Sequence, residues 1–214
     1  MRAALFLSAC LCACSLGGKQ PTYDYYVLTP TRPLAEEADR PSEVARRPSV
    51  VIAQVTIPGY LDRDAIATRQ ADNHISYSSR ERWAEPLDTA IESTLRQELA
   101  AELTPEGFNV PAQSGAPTYD VHVDILRFER SGPQTVELWA RWTLRSEAKQ
   151  VHTAETRLRL PVESAAEGAA AASLSRALAQ LATAIAQQVE AAEPELSAAR
   201  TRRANESRSP RSDR

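Results

Sequence analysis

Glu85-Pro86-Leu87-Asp88-Thr89-Ala90-Ile91-Glu92-Ser93-Thr94-Leu95-Arg96-Gln97-Glu98-Leu99-Ala100-Ala101-Glu102-Leu103 is the stretch where the hydrophobic period of this chain changes. Leu87, Ile91, Leu95, Leu99 and Leu103 recur at every fourth position and line one face of a helix. Pro86 stands at its first position, where a missing N–H costs nothing. Asp88 and Glu92 suit the positive end of the dipole, and Pro105 to Gly107 stop the helix. On either side the pattern is that of strands. Upstream, Tyr23 to Leu28 is aromatic and β-branched. Val50 to Ile57 is an almost unbroken apolar run of strand length, suited to a strand covered on both faces and halted by Pro58-Gly59. Ile66 to Thr68 and His74 to Tyr77 are two short β segments around the polar turn Gln70 to Asn73.

Downstream the period is two. Tyr119, Val121, Val123 and Ile125 alternate with Asp120, His122 and Asp124. Val136, Leu138, Ala140, Trp142 and Leu144 alternate with Glu137, Trp139, Arg141 and Thr143, and a third run follows from His152 to Leu160. The links at Ser131-Gly132-Pro133 and near Glu147 are hairpin-short, so the three strands pair antiparallel. A second helix spans about Glu167 to Glu190, with Leu174, Leu178, Leu181, Ile185 and Val189 as its stripe. Strands, helix, three-stranded meander, helix: this order predicts an α+β fold. It would be a two-layer sandwich, a mixed and mainly antiparallel sheet with two helices on one face, forming one domain over residues 23–190.

The ends read differently. Met1 to Ser15 begins with one arginine, runs through a short apolar core and reaches Leu11-Cys12-Ala13-Cys14, the order of a secretory signal closed by a cysteine. Ala3 to Ala13 is about half the ~20 residues that span a bilayer. Leu-small-small-Cys looks like a bacterial lipobox. It implies residues 1–13 as signal peptide and, on Cys14, a covalent diacylglycerol with an N-acyl chain. Leu7-Ser8-Ala9-Cys10 fits the same pattern, and ordinary cleavage is the third reading. All three cysteines fall within the first fourteen residues, so cleavage leaves only the lipidated one and no disulfide or thiolate metal site. Ser15 follows Cys14, so no aspartate retention signal is present; this favours an outer-membrane anchor facing the periplasm.

Residues 14–22 form a polar tether. Pro30 to Pro48, with four prolines among Glu, Asp and Arg, reads as a disordered loop. From Ala191 the chain reads as a disordered basic tail: from Arg200 to Arg214 six arginines face two acids, about +4. A solvated terminus and a contact with anionic envelope lipid are both open for it.

Little in the residue types points to chemistry. The net charge is −3, which gives no field for nucleic acid. Glycine is scarce at 7, and no nucleophile elbow, phosphate loop or zinc-protease helix motif occurs. His122 and His152, with Asp120 and Asp124, are the one conceivable metal cluster; ordinary half-exposed strand histidines are the alternative. The carboxylate pair Glu36-Glu37 lies in the polar loop. No catalytic residue, resident cofactor or metal is expected, and so no enzyme.

Two segments resemble a known family. Val55-Thr56-Ile57-Pro58-Gly59-Tyr60-Leu61 and Arg82-Trp83-Ala84-Glu85-Pro86-Leu87, with Ile66 to Arg69 and Asn73 to Ile75 between, are similar to the ABC-type transport auxiliary lipoproteins. The likeness runs from Cys14 to about Glu190, and the acidic proline-rich loop and the basic tail depart from it. The resemblance implies a non-enzymatic subunit of an MCE-type intermembrane lipid transport system. Its partners would be an MCE-domain protein, the outer membrane through the lipid anchor, and copies of itself in a ring with two complementary faces. Pro58, Tyr60, Leu61, Trp83 and Pro86 are the candidate residues for a partner or oligomer interface. For Trp83, Tyr60 and Leu61 the core is the competing place. A stand-alone structural envelope lipoprotein, or one assisting β-barrel assembly, is the rival reading.

Overall fold

The computed structural model describes residues 22–33, 47–147, 149–164, 166 and 168–208. Cys10, Cys14, the tether up to residue 21 and loop residues 34–46 lie outside the described residues, as do Glu36-Glu37 and residues 209–214. The chain builds β1 (Asp24–Tyr26), β2 (Val50–Thr56), β3 (Ala65–Ala71), β4 (His74–Trp83), α1 (Leu87–Leu103), β5 (Tyr119–Ser131), β6 (Thr135–Ser146), β7 (Lys149–Pro161) and α2 (Ala169–Arg208).

One seven-stranded sheet runs in the order β1-β4-β3-β5-β6-β7, with β2 alongside β5. The long ladders β3–β4, β5–β6 and β6–β7 are antiparallel; β1–β4, β2–β5 and β3–β5 are parallel. Strand β5 organises the sheet. Its first half pairs with β2, Val50 opposite Tyr119, and its end pairs with β3, Thr68 opposite Arg130. Between the halves an irregularity at Ile125/Arg127 shifts the register with β6.

Both helices lie on one face, packed against each other and against β2, β5, β6 and β7. That face is the core. Tyr119, Val121, Val136, Leu138, Ala140 and Leu144 meet the stripes Ile91, Leu95, Leu99, Leu103 and Leu174, Leu178, Leu181, Ile185, Val189, all with no exposed surface. Ala169–Pro194 is long and apolar enough to cross a bilayer, but 67% of its most apolar window is buried within the protein. It is the central core helix, alanine-rich because it lies close against both α1 and the sheet. The α+β sandwich is therefore as the patterning indicated.

β4 runs on from Tyr77 to Trp83, and three further boundaries differ. Pro86 precedes the first helical residue: its φ and ψ are −52° and 130°, and its carbonyl accepts the first helical bond from the Ala90 N–H at 3.0 Å. The proline-rich loop begins in ordered form. The Thr31 N–H donates to the Glu98 carboxylate, and Arg32 pairs with Glu102 and also donates to Thr183. Polar groups on both helices thus offset an ordering cost that apolar burial there cannot. Finally, α2 does not stop at Glu190 but continues to Arg208, which corrects the disordered reading over residues 191–208. Ala192 is buried and the Tyr119 hydroxyl donates to Glu193 at 2.5 Å, docking this turn on the body. The alanines, glutamates and arginines beyond it are strong helix formers.

Candidate functional site

The face of the sheet turned away from the helices carries a charged lattice that begins with register. Glu129 of β5 stands opposite Glu137 of β6, and Glu137 opposite Arg159 of β7. In the next row Arg127, Trp139 and Arg157 stand side by side, and beyond them Asp124, Arg141 and Glu155. Glu129 and Glu137 are both fully buried. Two like charges opposite each other destabilise a sheet, so each needs its own counter-ions. Glu137 accepts from Arg157 at 2.7 Å, Arg127 at 3.2 Å and Arg159 at 3.4 Å. Glu129 accepts from Arg69 Nε at 2.7 Å and from the Tyr60 hydroxyl at 2.6 Å. The Trp139 ring lies between the Arg127 and Arg157 guanidiniums, 5.5 and 5.0 Å from its centre, and its indole N–H donates to Glu155.

The electrostatics follow from these contacts. Burial raises the proton affinity of Glu137, but hydrogen bonds from Arg157 and Arg127 outweigh it and hold the carboxyl below its usual range. Burial, reinforced by the Glu129 carboxylate, pushes the Tyr60 phenol well above its ordinary value. Burial opposes the charge of Arg69, and Glu129 overrides it. The Arg141 guanidinium holds Glu155 low. A carboxyl held far below neutrality is a poor proton acceptor. This arrangement fixes strands.

The candidate interface residues gather at one corner. The β2–β3 turn and the β4–α1 junction are joined by the Trp83 N–H donating to the Asp64 carbonyl at 2.6 Å. The Ala84 N–H donates to the Tyr26 carbonyl of β1 at 2.9 Å. Leu61 and Trp83 are 3% and 5% exposed, so both are core residues, and Trp83 packs on Phe128 with ring centres 6.3 Å apart. One edge of Trp83 still floors a surface groove of about 420 Å³ walled by Arg63, Asp64, Glu85 and Pro86. Pro58 and Tyr60 are half-buried, Pro86 exposed. Tyr60 belongs to the ionic lattice on the open face. The candidates are therefore neighbours in the chain fold but not a single patch.

His122 and His152 do not meet. His122 lies opposite Thr143 and His152 opposite Leu144, adjacent β6 residues that point to opposite faces. His152 packs on Trp142 at 5.4 Å between ring centres; His122 pairs with Asp120 at 2.8 Å. Among the described residues no group of three or more His, Cys, Asp or Glu side chains could hold a metal. The Glu129/Glu137 lattice itself escaped sequence reading. Its only signal was the excess of arginine at alternate positions 157 and 159, which acquires meaning only once the β6–β7 register is known.

These elements define an α+β fold with an open, helix-backed sheet, an ionic lattice on its outer face and a groove at one corner. The chain belongs to the family of ABC-type transport auxiliary lipoprotein components, whose model matches residues 26–186. Membership makes it a lipoprotein accessory of a transport system. The fold is shared with solved structures. A protein from Xanthomonas campestris is 17% identical, covering 81% of this chain and 98% of its own, at a TM-score of 0.64. An uncharacterized protein is 20% identical over 78% of this chain and 99% of its own, at a TM-score of 0.65. Among curated proteins, none matches this sequence.

Proposed function

We propose that this chain is a non-enzymatic subunit of an MCE-type intermembrane lipid transport system, held at the outer membrane and docking the periplasmic MCE assembly there. The observation that carries the reading is the family match across residues 26–186, which runs from the last residue of β1 through the corner groove and α1 into α2. The sequence resembles the paraquat-inducible protein C branch of that family. Lipid moving between two membranes needs a path shielded from water, and a lipid-anchored module can hold the far end of such a path in place. On this reading Cys14 bears the diacylglycerol and N-acyl chains, and two or three acyl chains make the attachment effectively permanent. Exposed Pro86 and the Arg63, Asp64 and Glu85 walls of the groove face the MCE protein or the next copy in a homo-oligomer, with Trp83 and Leu61 shaping that surface from beneath.

The test is affinity purification of the tagged chain from detergent-solubilised envelopes of its own host. An MCE-domain protein recovered at near-stoichiometric level is the expected result. Recovery of β-barrel assembly components in its place would favour the stand-alone lipoprotein.

A further inference from the structure

Strand β1 presents apolar side chains on both of its faces. On the inner face Tyr26 packs so closely on Gly168 that a Cβ there would lie 2.6 Å from the ring, and Leu28 is buried. On the outer face stand Tyr23, Tyr25 and Val27, alternate residues on one side of the strand, exposed by 38, 62 and 55%. The only other exposed large hydrophobic among the described residues is Tyr77, so three of the four fall within five consecutive positions. The Arg82 guanidinium sits over the Tyr23 ring at 4.4 Å, and Arg80 pairs with Asp24 at 2.9 Å. β1 ends the sheet order. An exposed apolar edge strand is an aggregation hazard unless something covers it.

We infer that the Tyr23/Tyr25/Val27 face of β1 lies against the headgroup region of the anchoring bilayer, so that the folded body rests on the membrane instead of swinging below it. The inference rests on Cys14 being the lipidated residue. Tyr23 stands nine positions beyond Cys14, and even fully extended that length of chain reaches only about 30 Å. The patch is therefore the part of the described body that the anchor holds nearest the lipid. Its chemistry fits that place. Tyrosine rings settle at the headgroup level with the hydroxyl toward water, and valine adds apolar contact.

The test uses the lipidated protein reconstituted into phosphatidylethanolamine/phosphatidylglycerol vesicles. Once the signal is removed the only cysteine is the acylated one, so Tyr25→Cys, Val27→Cys and, on the opposite edge strand, Thr153→Cys each take a single nitroxide label. Intact mass reports acylation separately, so an unacylated product contradicts the anchor reading and leaves the patch to be judged on acylated protein alone. The expected result is an oxygen-to-nickel-chelate collision ratio several-fold higher at 25 and 27 than at 153, with a Tyr23→Ser/Tyr25→Ser body raising nickel access at 27. Equal ratios at all three sites on acylated protein would overturn the inference. So would dipolar broadening at 25 with free nickel access, which would seat a second copy on the patch.

Discussion

Glu129 and Glu137 face each other across the β5–β6 ladder, both without exposed surface, on the side of the sheet that carries no helix. Two buried carboxylates in register persist because arginines and a tyrosine converge on them from β3, β5, β7 and the β2–β3 turn. The pair thus ties four segments of the chain into one rigid outer face.

Removing one counter-ion should expose how much depends on it. Arg69→Met leaves Glu129 buried without its 2.7 Å partner. Breaking a buried pair from one side costs about 3–5 kcal/mol, on the order of 10 °C in melting temperature for a domain of this size. Thermal unfolding checks it, and a shift under 2 °C or so would show that water replaces the guanidinium freely.

The same lattice sets an acid limit. Glu137 is held below its ordinary pKa in the folded protein, so its contribution is full above the unfolded value of about 4.3. That contribution is lost as pH falls through the folded value. Urea midpoints between pH 7 and pH 3 should fall steeply below about pH 4 for the native chain. In Glu137→Gln they should start lower and fall less. Tyr60 gives the opposite edge: with a raised pKa its contribution is full below about pH 10 and declines above, and Tyr60→Phe should flatten that alkaline loss.

Trp83→Ala should cost about 3–5 kcal/mol, since the ring is 5% exposed and packed on Phe128. Differential scanning calorimetry measures it. An unchanged melting temperature with lost partner binding would make Trp83 a contact residue instead of the floor beneath one.

The core was legible because period maps directly onto burial. Tyr119, Val121 and Val123 could be assigned to one face from alternation alone, as could Leu87 through Leu103 from fourfold spacing. What stayed hidden depends on register and on pairing between distant segments. Nothing local tells Thr68 to lie beside Arg130, or Glu129 to face Glu137 after the irregularity at Ile125/Arg127. The tail misled for a related reason: its polar composition resembles a solvated terminus, yet Ala192 and Glu193 have docking partners only because β5 begins where α2 passes. Of the interface candidates, Leu61 and Trp83 turned inward, and whether an apolar residue beside a turn does so is decided by what packs across from it.

That docking gives a graded truncation series. Ending the chain after Ser197 should leave the melting temperature nearly unchanged. Ending it after Glu190 removes Glu193, the acceptor for the buried Tyr119 hydroxyl, and should cost about 1–3 kcal/mol. Equal stability of the two truncations would mean that the turn at 191–193 rests on the body without holding it.

If a lipid on Cys14 lets this chain hold an MCE assembly at the outer membrane, as proposed, then removing that lipid releases the assembly. Density-gradient fractionation of host envelopes tests it most directly, following the MCE-domain protein in cells with the native chain and in cells with Cys14→Ala. Part of the MCE protein is expected to sediment with outer-membrane fractions in native cells and to move wholly to inner-membrane fractions in the variant, while the variant itself stays folded and leaves the membrane. An MCE distribution identical in the two strains would contradict it.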